Sequence, residues 1–127
     1  KYGNREIFKM KWKLFLDDVR FPSDYPFSEP NDWIIARSYE DAVYCVTSYG
    51  IPYHIAFDHD LASEHYIVGE GEKDGYQFAK WFSDYILLGE YDLPENFTYN
   101  VHSMNPVGAK RIKDWMEEFL RVYEAQT

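Results

Sequence analysis

The chain predicts an α/β fold with a parallel sheet, and three observations predict it. Four short runs rich in β-branched and aromatic residues are bounded by Pro, Gly, Asp or Asn. Apolar positions between and after them change to the helical period, and the two kinds of segment alternate along the chain. Strands alternating with helices imply right-handed crossovers, which lay successive strands parallel.

The first strand is read over Trp12 to Leu16 and is followed by a long segment, Val19 to Asp32, that carries Pro22, Pro26 and Pro30. The second strand, Trp33 to Arg37, leads into a helix from about Glu40 to Tyr49, with Ser38 as N-cap and Gly50 just past its end. The third strand, His54 to Phe57, precedes a second long segment, Leu61 to Lys73, in which Gly69 and Gly71 stand among acidic residues. Phe78, Trp81, Phe82 and Tyr85 then fall at i, i+3, i+4, i+7 of an amphipathic helix. After the fourth strand, Phe97 to Val101, the residues Ile112, Trp115, Met116, Phe119, Leu120 and Tyr123 continue that rule over three turns. Segments as long as the two loops are usually functional or disordered in a compact domain.

Composition narrows the class. A length of 127 residues with 25 Phe, Trp or Tyr fits one domain with a real core and opposes disorder. Residues 12–127 are expected to form it, with 1–11 as an N-terminal basic extension. Within 1–13, Lys1, Arg5, Lys9, Lys11 and Lys13 stand against Glu6, giving +4 of a net charge of −9 and leaving −13 for the rest. That arm is read either as basic contact surface or, because Met10 precedes the first strand, as a leader outside the fold. The lone Cys45 excludes an internal disulfide and a Cys-based zinc site; among the apolar positions of its helix it reads as a small core residue. No apolar run reaches the ~18–20 residues that span a bilayer, and the acidity opposes general duplex nucleic-acid or anionic-membrane binding. A cytoplasmic protein is expected.

In an open parallel sheet the ligand crevice lies beyond the carboxyl ends of the strands. Asp17 and Asp18 follow the first strand, Asp58, His59 and Asp60 the third, and His102, Ser103 and Asn105 the fourth. Carboxylates sharing one crevice repel each other unless a cation compensates, and oxygen ligands from a few Asp residues suit Mg²⁺ or Mn²⁺, which in turn suit a phosphate-bearing ligand. Strand alternation sets Asp58 and Asp60 on one side and His59 on the other. The competing reading of each acidic pair is a solvated turn. The turn from His102 to Lys110 enters the last helix, so Ser103, the amides near Gly108 and the Lys110 cation are candidate phosphate contacts. Equally, Ser103 or Asn105 serves only as a cap before Pro106. His102 is a candidate proton carrier or a structural imidazole. Arg20 either meets an anionic ligand or pairs with the Asp cluster. Glu64, Glu70 and Glu72 read as a lid or as a solvated loop, and His54 and His65 receive no role.

Four spaced motifs together carry a resemblance: Leu14-Phe-Leu-Asp-Asp-Val-Arg-Phe-Pro22, Phe57-Asp-His-Asp-Leu61, Asp74-Gly75 opening a helix, and His102-Ser-x-Asn-Pro-x-Gly108. Over about residues 12 to 120 the chain resembles the cyclic-phosphate processing receiver-like family, an offshoot of response-regulator receiver domains. The resemblance implies a three-layer, flavodoxin-like arrangement: a four-stranded parallel sheet in the order 2-1-3-4, without the fifth strand and the first receiver helix. It implies metal ligation by Asp17, Asp18 and Asp58, with Asp58 at the phosphoacceptor position and Ser103 as the hydroxyl residue. Asp60, His102 and Asn105 match the derived family's own signature. Without the receiver's fifth-strand Lys, Lys110 or Arg20 has to substitute, and Ala62 stands where the family pattern has Gly.

The expected function is that of a Mg²⁺- or Mn²⁺-dependent phosphoesterase acting on a cyclic phosphate, either a cyclic nucleotide or a 2′,3′-cyclic RNA end. Asp58, His102 and Asp60 are its expected catalytic residues, Asp17, Asp18 and Asp58 its metal ligands, and Arg20, Ser103, Asn105, Gly108 and Lys110 its phosphate contacts. The alternative is a module that sequesters a phosphorylated nucleotide or switches a protein partner without turnover.

Overall fold

The computed structural model describes residues 11–25, 32–58, 60–61 and 74–126. His59, most of the N-terminal extension and the acidic segment with Glu64, His65, Glu70 and Glu72 lie outside the described residues. The four strands are β1 (Lys13–Leu16), β2 (Trp33–Ala36), β3 (His54–Phe57) and β4 (Thr98–Val101), and the helices α1 (Tyr39–Tyr49), α2 (Gly75–Gly89) and α3 (Pro106–Gln126). All strand pairs are parallel and the order is β2-β1-β3-β4, as expected. From β4 the described chain runs directly into α3.

Each helix is bounded by the chemistry its sequence offers. The Ser38 side chain accepts the Asp41 amide at 3.0 Å, and the Asp41 carboxylate accepts the Arg37 amide at 3.0 Å, so the start of α1 is held reciprocally. Gly50 closes α1 at φ +97°, a conformation that favours glycine. Asp74 caps α2 by accepting the Gln77 amide, and Asn105 caps α3 by accepting the Gly108 amide at 3.0 Å, with Pro106 at the first helical position.

The two faces of the sheet differ. Leu14, Leu16, Ile34, Ala36, Ile55 and Phe57 point to one face, where they join Val46 of α1, Phe78 and Phe82 of α2 and Ile112, Met116 and Phe119 of α3 in one apolar cluster. The helices also tie to one another: the Trp115 indole donates to Ser83 Oγ at 2.8 Å, and the Phe82 ring meets Phe119 edge-on at 6.1 Å. Cys45 is buried in this layer, as its position predicts.

The opposite face carries Lys13, Phe15, Trp33, His54, Ala56 and Asn100. Its described cover is the segment after β1, with a 3-10 turn at Pro22–Asp24 and Tyr25, whose ring lies 5.9 Å from the fully buried Phe15. Polar groups on this face are paired. Lys13 lies 3.4 Å from Asp32 and 4.3 Å from the centre of the Trp33 ring, and His54 bonds Thr98 and Asn100.

Candidate functional site

The last paired row of the sheet is Ala36, Leu16, Phe57 and Val101. The ladder runs one residue further, with Asp17 N donating to Ala36 O at 3.1 Å, Asp58 N to Leu16 O at 3.0 Å and His102 N to Phe57 O at 2.9 Å. The next row across the strand ends is therefore Arg37, Asp17, Asp58 and His102. By alternation these four side chains leave on the face of Phe15, away from the helices.

Asp17 is the anchor of the row and is fully buried. Its Oδ1 accepts the Val19 amide at 3.0 Å and the Arg20 amide at 2.8 Å. Its Oδ2 faces His102 Nε2 at 3.0 Å and Arg20 Nη1 at 3.5 Å. Burial pushes the Asp17 carboxyl up, but the two backbone amides and His102 together hold it below the ordinary carboxylate value. A charged carboxylate only accepts, so His102 presents Nε2–H to it. Burial pushes the imidazole below its usual pKa against the pull of Asp17, so near neutrality the contact is a hydrogen bond from a neutral ring to a carboxylate.

The His102 ring reaches across the sheet to stack on Phe15, 4.9 Å between centroids and 9° between planes, with Tyr25 on it at 5.0 Å. The strand between them carries Ala56 at that level, so no bulky side chain intervenes. Tyr25 in turn accepts a hydrogen bond from Arg20 Nη1 at 3.1 Å. Asp58, 5% exposed, is pushed up to about 6 by burial first and by the Asp17 charge second, with Arg20 opposing.

Asp17, Asp58 and His102 each offer a ligand atom, and these atoms all lie within 4.8 Å of one another. Two carboxylates and one imidazole form a mixed oxygen and nitrogen donor set that fits a divalent cation. The buried, raised carboxyl of Asp58 is the second sign of fit, since a dication there would restore its ionised form. Asp18 is not in this group; half-buried, it is raised by burial and by the neighbouring Asp17 charge.

The other expected site residues fall into two sets. Ser103, Asn105 and Asp60 converge on the same edge: Ser103 Oγ accepts the Asn105 main-chain N–H at 3.0 Å, and Asn105 Nδ2 of the side chain donates to Asp60 Oδ1 at 3.4 Å. Two expected phosphate contacts are engaged otherwise. The Gly108 amide is taken by Asn105 Oδ1, the capping alternative, and the Lys110 ammonium sits on the exposed side of α3 against Asp114 at 2.9 Å. Helix periodicity is the reason: positions 110 and 114 are one turn apart and face solvent together. Arg20 takes the role of partner to the Asp cluster and keeps its side chain 36% exposed at the crevice.

Arg37 is the site residue that sequence reasoning missed. Period and composition extend the second strand to Arg37, whereas β2 ends at Ala36 and Arg37 is the residue after it, the fourth member of the row. The strand-end rule that singled out Asp17, Asp58 and His102 would have found it.

A parallel α/β sheet with a buried acidic centre at its carboxyl edge defines a receiver-like domain. The model of the cyclic-phosphate processing receiver domain matches residues 12–118, and the chain belongs to that family. Among curated proteins none matches this chain. Of solved structures, a fusion carrying the yeast Spc42 trimeric coiled coil aligns with a TM-score of 0.50 at 22% identity, covering 94% of this chain and 85% of that one. The N-terminal domain of a response regulator/sensory box/GGDEF three-domain protein from Carboxydothermus hydrogenoformans aligns with a TM-score of 0.49 at 23% identity, covering 92% and 98%. Among the described residues no helix is long and apolar enough to cross a membrane.

Proposed function

We propose that this domain is a divalent-metal-dependent phosphoesterase that opens a cyclic phosphate, such as a cyclic nucleotide or a 2′,3′-cyclic RNA end, to a monoester. The observation that carries the reading is the convergence of Asp17, Asp58 and His102 within 4.8 Å at the carboxyl edge of the sheet. Mg²⁺ or Mn²⁺ would be held by Asp17 and Asp58 with His102 or Asp18 beside them, and when bound it supplies the positive charge that offsets phosphate oxygens. The chain's own groups divide the remaining work. Asp58 accepts a proton from an attacking water, or itself attacks phosphorus to form an acyl phosphate that water then cleaves. As the ring P–O bond breaks, the departing oxygen takes up the proton that Asp58 received, or one from solvent water where Asp58 is the nucleophile, while the neutral His102 ring keeps Asp17 oriented. Arg20, Ser103 and Asn105 orient the phosphate, and Asp60 steadies Asn105.

The Nε2–H of the neutral His102 ring is committed to Asp17 and is no source of a proton, which favours a second reading, a module that sequesters a phosphorylated nucleotide or switches a protein partner without turnover. ³¹P NMR with 2′,3′- and 3′,5′-cyclic nucleotides and an RNA 2′,3′-cyclic end, with Mn²⁺ and then with chelator, separates the two. Metal-dependent appearance of a monoester, absent in Asp58→Asn, is the expected result. Saturable metal-dependent binding with no product transfers the assignment to sequestration, and neither binding nor product rejects both.

A further inference from the structure

Arg37 holds two parts of the chain at once. Its main-chain amide is fixed by Asp41 in the first turn of α1, and its guanidinium lies 4.6 Å from the centre of the Phe21 ring. From there Nη1 donates to the main-chain oxygen of Asp17 at 3.1 Å and to that of Arg20 at 2.5 Å. The same turn sends its Val19 and Arg20 amides inward to Asp17 Oδ1. Carbonyls gathered on one side and amides on the other close a ring of contacts around the acidic turn. Oδ1 is thereby occupied, and only Oδ2 faces His102 and the crevice.

We propose that Arg37 is a positioning residue: it sets the rotamer of Asp17, and hence the donor geometry of the Asp17, Asp58 and His102 centre, without touching metal or substrate. This rests on the reading of that centre as a metal site, and it yields two predictions of opposite sign to simpler accounts. A bystander cation would weaken the affinity of the acidic centre for a dication, so removing it would tighten binding. A positioning residue predicts the reverse, because outer partners of a ligand are worth roughly 10–100-fold in metal affinity. A general structural prop would loosen the whole domain, helices included.

The test compares the full chain with Arg37→Met by two measurements. In metal-free protein, amide hydrogen exchange should accelerate at least about tenfold at Val19 and Arg20 and stay unchanged at Ala42 and Phe78, which bond Ser38 and Asp74 in α1 and α2. By calorimetric titration, Mn²⁺ affinity should fall roughly tenfold or more. Tighter Mn²⁺ binding, or acceleration spread evenly over the helices, overturns the proposal. If the unsubstituted chain binds no Mn²⁺, the metal reading fails, and the exchange data still decide whether Arg37 orders the turn. Should Arg37→Met not fold, ¹⁵N spectra of the unsubstituted chain serve instead. Arg37 should show resolved, slowly exchanging Nη signals, and a freely rotating guanidinium like that of a solvent-exposed arginine overturns the proposal.

Discussion

The two faces of the sheet are built from the same four strands yet obey different rules. On the helix face, side chains are interchangeable apolar volume: Leu14, Leu16, Ile55 and Phe57 meet Phe78, Phe82, Ile112 and Met116, and each buried side chain contributes about 1.5–3 kcal/mol by leaving water. On the opposite face, Phe15, Trp33 and Tyr25 are framing for polar groups, and Asp17, Asp58 and the His102 side chain lie at or near full burial, with the Asp58 charge only partly offset. Stability is concentrated on the first face and chemistry on the second. Cutting into the first face should therefore damage the fold, whereas neutralising the raised Asp58 on the second should relieve it.

The largest effect should come from cutting into the helix face. Phe82→Ala removes a fully buried ring stacked on Phe97 and edge-on to Phe119, and should cost about 3–5 kcal/mol, read as a large fall in Tm. A loss below about 1 kcal/mol would mean that the face tolerates voids and that the contrast is wrong.

Asp58→Asn should have the opposite sign. A carboxyl raised to about 6 in the folded chain, from an ordinary 3.8, destabilises the fold wherever it is ionised. Its penalty is full above pH 6, shrinks as pH falls through 6, and is gone below the unfolded value. At pH 8 without metal, Asp58→Asn should be more stable by about 2–3 kcal/mol, converging with the unsubstituted chain near pH 4. Taking the difference between the two chains matters, because His102 and His54, both held below the usual imidazole range by burial, act oppositely. Stability due to them is present above the unfolded value of about 6.5 and is lost as pH falls below it. Thermal melts across pH 4 to 8 measure this, and a destabilised Asp58→Asn at pH 8 would contradict it.

Within the site face, Ala56→Leu sharpens the comparison. The added side chain enters the path by which His102 reaches Phe15, so the imidazole should lose its contact with Asp17 while the helix-face core is unaffected. Overpacking of this kind costs about 1–3 kcal/mol, and the His102 ¹⁵N shifts should report loss of the Nε2–H contact. Unchanged shifts would mean that the ring does not cross over β3. The smallest stability effects belong to the turn into α3. Asn105→Ala removes a cap and should cost about 1 kcal/mol. Lys110→Ala, on the exposed side of that helix, should leave Tm unchanged, and a fall in ligand affinity there would return Lys110 to the site.

Sequence by itself determined the element order, because periodicity is a local property. Strand and helix bounds read from period and punctuation agree with the structure to within a few residues, and the Ser38 cap, the Gly50 stop and the burial of Cys45 were legible for the same reason. The parallel strand-end rule also places Asp17, Asp58 and His102 on one edge from the sequence alone. What only the tertiary structure decided is which atoms meet. Residues 17 and 102 touch because His102 crosses over a small Ala56, Arg37 joins the centre through main-chain oxygens that no side-chain motif encodes, and Lys110 turns to Asp114 because both lie on one helix side. Such contacts depend on strand order, register and rotamer together, and none of these is a property of any one segment of the chain.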